Sequence, residues 1–199
     1  MTGGAVSTLL PLFPLDLVLF PGVPLPLHVF EPRYKEMIAE CLDEKKPFGV
    51  VRASSDGVSE IGCTAEILEV TKRYEDGRMD MLTRGVERFE VMQVNNDRAF
   101  LQAEISLIED VPDHSSVENV EKAVQLHAEI VKLAGADASG TEADHENLSF
   151  RLAGSLPLDL DFKQKLLMTL SEAQRLEALI TYLQAVLPGL RRATNARWN

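Results

Sequence analysis

The chain has 199 residues, 45% of them apolar, 26% charged and 6% aromatic, which is the composition of a folded globular protein and excludes a disordered, collagen-like or disulfide-stapled chain. At this length folding removes roughly 70% of the unfolded chain's surface from water, so one large domain or two small ones can hold together without a metal or disulfides. The net charge of −11 repels phosphate backbones at long range and opposes non-specific nucleic-acid binding.

Residues 9–30, LLPLFPLDLVLFPGVPLPLHVF, are long and apolar enough to raise the question of a membrane span. Pro11, Pro14, Pro21, Pro24 and Pro26 argue against it, because each breaks a helical hydrogen-bond ladder that lipid cannot re-satisfy. No Lys or Arg precedes Arg33, so the charged start of a secretory signal is missing and a cytoplasmic protein is expected. The same prolines predict short, kinked or edge strands. Pro32 fits a first helical position. After it Tyr34, Met37, Ile38, Cys41 and Leu42 recur at helical spacing opposite Lys35, Glu36, Glu40, Asp43 and Glu44, predicting a helix packed on a sheet.

Strands are expected at FGVVRA and from Ile61 to Tyr74, where Thr64, Glu66 and Glu69 point outward and Ala65, Ile67 and Val70 inward, with one slip. Glu75-Asp76-Gly77 is a hairpin turn. RMDMLTRG returns from it, with Met79, Met81 and Thr83 on one face. VERFEVMQV and AFLQAEISLI follow as further strands around the turn Asn95-Asn96-Asp97-Arg98. Such meandering hairpins predict a small barrel.

Beyond Pro112 the period becomes helical. Val117, Val120, Val124, Leu126, Ile130, Val131 and Leu133 make a stripe that stops at Gly135, and GADASGTEAD (135–144) is a flexible connection. Three helical stretches follow: Leu148 to Leu156, one marked by Phe162, Leu166, Leu167 and Leu170, and one marked by Leu176, Leu179, Ile180, Leu183, Val186 and Leu187. Ser171 and Gln174 form a capping box opening the last, which Pro188-Gly189 closes. The domains are therefore a β-rich unit at 8–112, a helical unit at 113–188 and a flexible basic tail at 189–199. Charge is shared unevenly, with −10 on residues 101–161 and +4 on residues 162–199.

No catalytic constellation emerges. The chain contains neither GxxxxGK[ST] nor GxGxxG. His145-Glu146-Asn147-Leu148-Ser149 lacks the second imidazole of HExxH, so no metal pair forms. Asp113-His114-Ser115 are sequence neighbours, which cannot assemble a nucleophilic relay and read as a helix-initiating loop. No GxSxG elbow occurs. His28 and His127 read as structural histidines. Cys41 and Cys63, 22 residues apart with no CxxC or Cys/His spacing, read as core residues in a reducing compartment. No catalytic residue, metal or cofactor is expected.

What remains is a surplus of apolar and aromatic residues at the N-terminal edge: Phe13, Phe20, Leu25, Leu27, Phe30 and Tyr34. One reading has them fill the barrel and cover the helix. The other has some of them line a groove where proline-broken strands accept an added peptide strand, and Phe13, Phe20, Leu27, Phe30 and Tyr34 are its substrate-binding candidates. Glu31 and Arg33 at the helix start, with Arg84, Glu87 and Arg88 in TRGVERF, are candidates for an ion-pair network tying helix to barrel. Arg191, Arg192, Arg197 and Trp198 in the tail read as a flexible end or as a nucleic-acid or partner contact.

Three blocks, LPLFPLDLVLFPGVPLPLHVFEPRY (10–34), IGCTAEILEVTKRYEDGRMDMLTRGVERFEV (61–91) and LPLDLDFKQKLLMTLSEAQRLEALITYL (156–183), closely resemble the N-terminal substrate-binding domain of Lon ATP-dependent proteases. The similarity spans roughly residues 9–187. The FEPRY block, Phe30 to Tyr34, looks like the small stand-alone bacterial members. The resemblance implies an α+β fold, with a PUA-like β-barrel carrying one packed helix followed by a C-terminal helical bundle. It also implies recognition of unfolded or degron-bearing polypeptide, hydrophobic residues favoured, with an ATP-dependent protease as a partner. The full protease carries AAA+ and Ser-Lys proteolytic modules after this domain, and since fold alone confers no chemistry the expected function is non-catalytic recognition. The alternatives are a PUA-like RNA-binding module, which the acidic charge opposes, and a small-ligand sensor with a cereblon-like pocket, which the single tryptophan, Trp198, opposes.

Overall fold

The computed structural model describes residues 9–55, 57–113, 115–135 and 147–197, with side chains to 194. His114, most of the connection at 135–144, His145, Glu146, the Arg197 side chain and Trp198 lie outside the described residues. The chain divides into two compact units, Met1–Glu109 and Asp110–Asn199.

The first unit is a sheet with one helix. Its elements are β1 (Leu10–Leu15), β2 (Pro24–Val29), α1 (Pro32–Glu44), β3 (Phe48–Ser54), β4 (Gly57–Val58), β5 (Ile61–Arg73), β6 (Met79–Asn95) and β7 (Gln102–Ile108). Strands pair in the order β1-β7-β6-β5-β3-β4, and β1 also pairs with β3, so the path of paired strands returns to its start. The proline-rich β1 is thus no edge strand. It pairs antiparallel with β7 at Leu10 and Pro11, then parallel with β3 from Leu12 to Leu15. Pro11 has no N–H to give, and the Leu12 amide next to it still donates to the Leu101 carbonyl at 2.8 Å. Among the described strands, those with a single partner are β2, on β6, and β4, on β3.

The sequence divides β6 at Gly85, whereas the structure keeps one 17-residue strand. Gly85 is a crossing point. The β1–β2 connection passes directly over it, with the Gly22 amide donating to the Gly85 carbonyl at 2.9 Å and the Gly85 amide to the Val23 carbonyl at 3.0 Å. A Cβ at Gly85 would overlap the Phe20 carbonyl oxygen. Thr64, expected to point outward, is buried. Its hydroxyl accepts from the Glu87 amide at 3.0 Å and donates to the Glu87 carbonyl, filling the register shift between Cys63 and Ala65.

Helix α1 starts with Pro32 in its first turn and buries Tyr34, Met37, Ile38 and Cys41, the face the periodicity selects. They pack with Phe13, Phe48, Met79 and Met81 into the larger core of the unit. A smaller core holds Leu10, Leu12, Val51, Phe89 and Ala103. The polar ties that add to this packing are exposed. Arg98, in the β6–β7 connection, reaches Glu36 and Glu40 at 2.7 Å, and the Lys35 ammonium donates to the Asp76 carbonyl at 2.9 Å.

The second unit contains α2 (Val117–Leu133), α3 (Leu148–Gly154), α4 (Leu160–Met168) and α5 (Glu172–Arg197). Val117, assigned above to the apolar stripe of α2, is 73% exposed; Ala123, His127, Ile130 and Val131 are the buried face. The Ser171 hydroxyl accepts from the Gln174 amide at 3.1 Å, as a capping residue does. Pro188-Gly189 does not close α5, which runs on to Arg197. Pro188 removes one intrahelical bond, but Leu187 is buried and Arg191 pairs with Glu129 of α2 at 2.6 Å, which holds the next turn in place.

Arg175 organises this unit. It is fully buried, and its guanidinium donates to both Asp110 oxygens (2.9 and 2.5 Å), to Glu172 (2.7 Å), to the Ser149 hydroxyl (3.0 Å) and to the Thr169 carbonyl (2.8 Å). The group lies 4.1 Å from the centroid of Phe150. Residues 110–113 therefore belong with the helices, Asp113 also accepting from the Ser171 hydroxyl and the Ala173 amide. Removing one partner of such a cluster strands the others. Arg175→Ala is expected to lower the unfolding free energy by about 3–5 kcal/mol, read from urea denaturation followed by circular dichroism; a loss below about 1 kcal/mol would mean the cluster holds nothing.

His127 is buried with Nε2 2.7 Å from the Ser155 hydroxyl, while its Nδ1 has no partner among the described residues. Burial lowers its pKa from the ordinary value, so the unfolded state binds the proton more readily. Its contribution to stability is complete above about pH 6.5 and is lost as pH falls through the native value. The expected result is a melting temperature that drops between pH 7 and pH 5 more steeply in the wild type than in His127→Leu. Parallel curves would refute it.

Candidate functional site

Strand β2, PLPLHV, hydrogen-bonds to β6 alone among the described strands, in register from Pro24↔Arg84 to Val29↔Met79. Pro24, Pro26 and His28 are exposed, whereas Leu25 and Leu27 are half-buried against the core. An edge strand offers unpaired backbone groups to an incoming chain. Two prolines thin its donors, which limits indiscriminate pairing.

An aromatic cluster flanks this edge. Register sets His28 opposite Asp80, and its Nδ1 lies 2.5 Å from the carboxylate. The other Asp80 oxygen accepts from the Tyr74 hydroxyl at 2.8 Å. Bonding to His28 first, and then to Tyr74, holds the Asp80 carboxyl below its usual range. The His28 ring stacks on Phe30, centroids 5.9 Å apart and 24° between planes, and meets Tyr74 edge-on at 5.9 Å. The Lys72 ammonium and Arg78 guanidinium lie 4.5 and 4.9 Å from the Tyr74 centroid. Tyr74 and Arg78 bracket the β5–β6 turn, closed by the Tyr74 amide on the Arg78 carbonyl at 2.9 Å. Phe30 is 58% exposed. This surface combines apolar ring faces, cations and an open strand edge, and can grip extended chain without a nucleophile.

The structure distributes the expected site residues unequally. Phe30 is exposed and Leu27 half-exposed at the edge of β2, while Phe13, Phe20 and Tyr34 are buried. Phe13 stacks on Tyr34 at 4.1 Å, part of the core that covers α1. Glu31 and Arg33 pair with each other at 2.9 Å, and the Arg33 guanidinium lies 4.6 Å from the Tyr34 centroid. Arg88 is buried in β6, opposite Cys63 and Ile108. The helix-to-sheet ties described above use Arg98 and Lys35. Sequence reasoning missed Tyr74, Asp80, Lys72 and Arg78 and read His28 as structural. The Tyr-x5-Asp spacing across a hairpin turn was the available signal, but the β2–β6 pairing joins residues 52 apart.

Among the described residues no group of three His, Cys, Asp or Glu could hold a metal, and no helix is long and apolar enough to cross a membrane. Burial pushes the Cys41 thiol up to about 11 and the Cys63 thiol up to about 12, so both stay protonated and unreactive at neutral pH.

The family model described as the ATP-dependent protease La (LON) substrate-binding domain matches residues 9–185. Lon protease 1 of Hydrogenovibrio crunogenus is 25% identical over 85% of this chain and 23% of its own length. Lon protease 1 of Syntrophobacter fumaroxidans is 28% identical over 92% of this chain and 24% of its own. The chain thus spans about a quarter of the length of these relatives. A crystal structure of a Lon N-terminal domain protein from Xanthomonas campestris is similar with a TM-score of 0.71 and 30% identity, covering 88% of this chain and 98% of that one.

Two outcomes check the assignment of residues to core and surface. Phe20→Ala should cost about 3–5 kcal/mol of stability, whereas Phe30→Ala should change it by less than about 0.5 kcal/mol. Iodoacetamide at pH 8 should modify neither Cys41 nor Cys63 until denaturant is added; modification of the native protein would contradict their burial.

Proposed function

The chain belongs to the family of the ATP-dependent protease La (LON) substrate-binding domain, and we propose that it recognises unfolded or degron-bearing polypeptide without itself performing chemistry, supplying captured chains to an ATP-dependent protease in the cytoplasm. The observation that carries this reading is the open edge of β2 beside the exposed Phe30 and His28, which meet the half-buried Tyr74. An extended segment adds as a strand along β2, its backbone satisfying the edge and its apolar or aromatic side chains packing on Phe30 and Leu27. Asp80 fixes the rings before a ligand arrives, which lowers the ordering cost of binding. The return of the strand path through β1–β3 supports reading the sheet as the PUA-like barrel of this family.

Buried Phe13, Phe20 and Tyr34 then serve as the floor that holds β2 and α1 in place, and Phe30 and Leu27 make contact. Titration of a reduced, alkylated, hydrophobic-rich polypeptide is expected to give micromolar binding, with Phe30→Ala weaker by about fivefold or more. A fluorogenic peptide should stay intact with and without ATP. Absence of binding at high micromolar concentration by verified folded protein would remove the proposal, as would cleavage that a point substitution in this chain abolishes.

A further inference from the structure

The helical unit contains a groove of about 470 Å3 that the β2 site does not use. Its walls are Ile130, Leu156, Pro157, Val186, Gly189 and Leu190, with Tyr182 and Arg192 also lining it. Tyr182, Val186 and Gly189 follow one another at helical spacing along one face of α5. Pro188-Gly189, a stop signal in sequence, is retained inside a helix, and its Gly189 forms groove wall. Local rules tend to be broken at functional sites. Gly189 presents bare backbone there, and a Cβ on it would meet nothing within 4 Å.

Three polar features define the occupant. Arg192 has no carboxylate partner among the described residues, whereas its neighbour Arg191 is paired with Glu129. It is the charged residue among those that line the groove, so the groove favours an anion at that end. Tyr182 is held by stacking on Phe162 at 4.2 Å and accepts from the Asp159 amide at 3.4 Å, which leaves its hydroxyl hydrogen to donate. Asp159 itself caps α4, accepting from the Phe162 amide at 3.0 Å.

We propose that this groove binds the C-terminal residues of a polypeptide, with the α-carboxylate on Arg192, apolar side chains along the α5 wall, and a backbone carbonyl on Tyr182. Ten residues of helix separate Tyr182 from Arg192, about 15 Å along the axis, which about four or five extended residues span. A fatty acid shares the anionic head and apolar chain but has no polar group for the far end. The exposed Pro157, Ala185 and Leu190 also leave one side of the groove open to water, which a hydrated peptide backbone tolerates and an acyl chain does not. The inference rests on the reading that the chain binds polypeptide, but it uses a different surface.

The test is fluorescence anisotropy with a labelled octapeptide whose last four residues are leucine, valine or alanine, as the free acid and as the C-terminal amide. Binding of the acid, at least tenfold tighter than the amide, is expected. Arg192→Gln should abolish that preference. Gly189→Leu should fill the groove and remove binding of the acid while leaving the melting temperature and the Phe30-dependent binding of unfolded polypeptide intact. Equal binding of acid and amide, or undiminished binding to Gly189→Leu, overturns the inference. So does decanoate binding without peptide binding, which would assign the groove to acyl carboxylates. Loss of unfolded-polypeptide binding with retention of the acid-specific octapeptide defeats the β2 proposal alone.

Discussion

A single strand passes from one set of partners to another without breaking, and the first unit is built on that passage. Residues 79–84 of β6 pair with β2 and residues 88–95 with β7, while β5 runs along the other side for most of the length. Gly85 stands at the change-over, where the β1–β2 connection crosses close enough that a side chain has no room. The crossing delivers Phe20 to the interior and sends β2 back along β6 as an edge. Register then aligns His28 with Asp80. The aromatic surface is thus a consequence of where one glycine lets the backbone approach.

The two units solve their stability problem differently. The first relies on apolar contact, with α1 laid on the sheet over Phe13, Phe48, Met79 and Met81, and its ion pairs are exposed and worth little individually. The second puts a charge at its centre. Arg175 gathers Asp110, Glu172, Ser149 and Thr169, residues from the start of the unit, from α3, from the α4–α5 junction and from α5 itself. Burying an arginine is costly unless each donor is satisfied, and satisfying them dictates one arrangement of the surrounding chain. Such a cluster specifies geometry even where apolar residues of the same volume would stabilise as well.

Both proposed contact surfaces share a physical logic. Each sets apolar area beside a fixed polar group and leaves one side open, so an extended chain can bind with part of its backbone still hydrated. Proline interrupts the edge strand β2 and sits inside α5 one residue before the groove's Gly189, withdrawing an N–H from the local ladder in each case.

Helix α1 with its buried face, the turn at Glu75-Gly77, the Ser171 cap and the α-after-β order were all legible in sequence, because each follows from local periodicity or from a residue whose backbone chemistry is nearly context-free. Membership in the family was legible as well, carried by three blocks that span most of the chain. Other features were decided by contacts distant in sequence. Gly85 reads as a break until another segment is known to cross it, and Pro188-Gly189 reads as a stop until Arg191 is seen bonded to α2. Tyr34 and Phe30 are both aromatic residues near one helix start, yet one is buried and the other exposed. Hydrophobicity determines that such residues seek burial, whereas the three-dimensional path of the chain determines which of them find it.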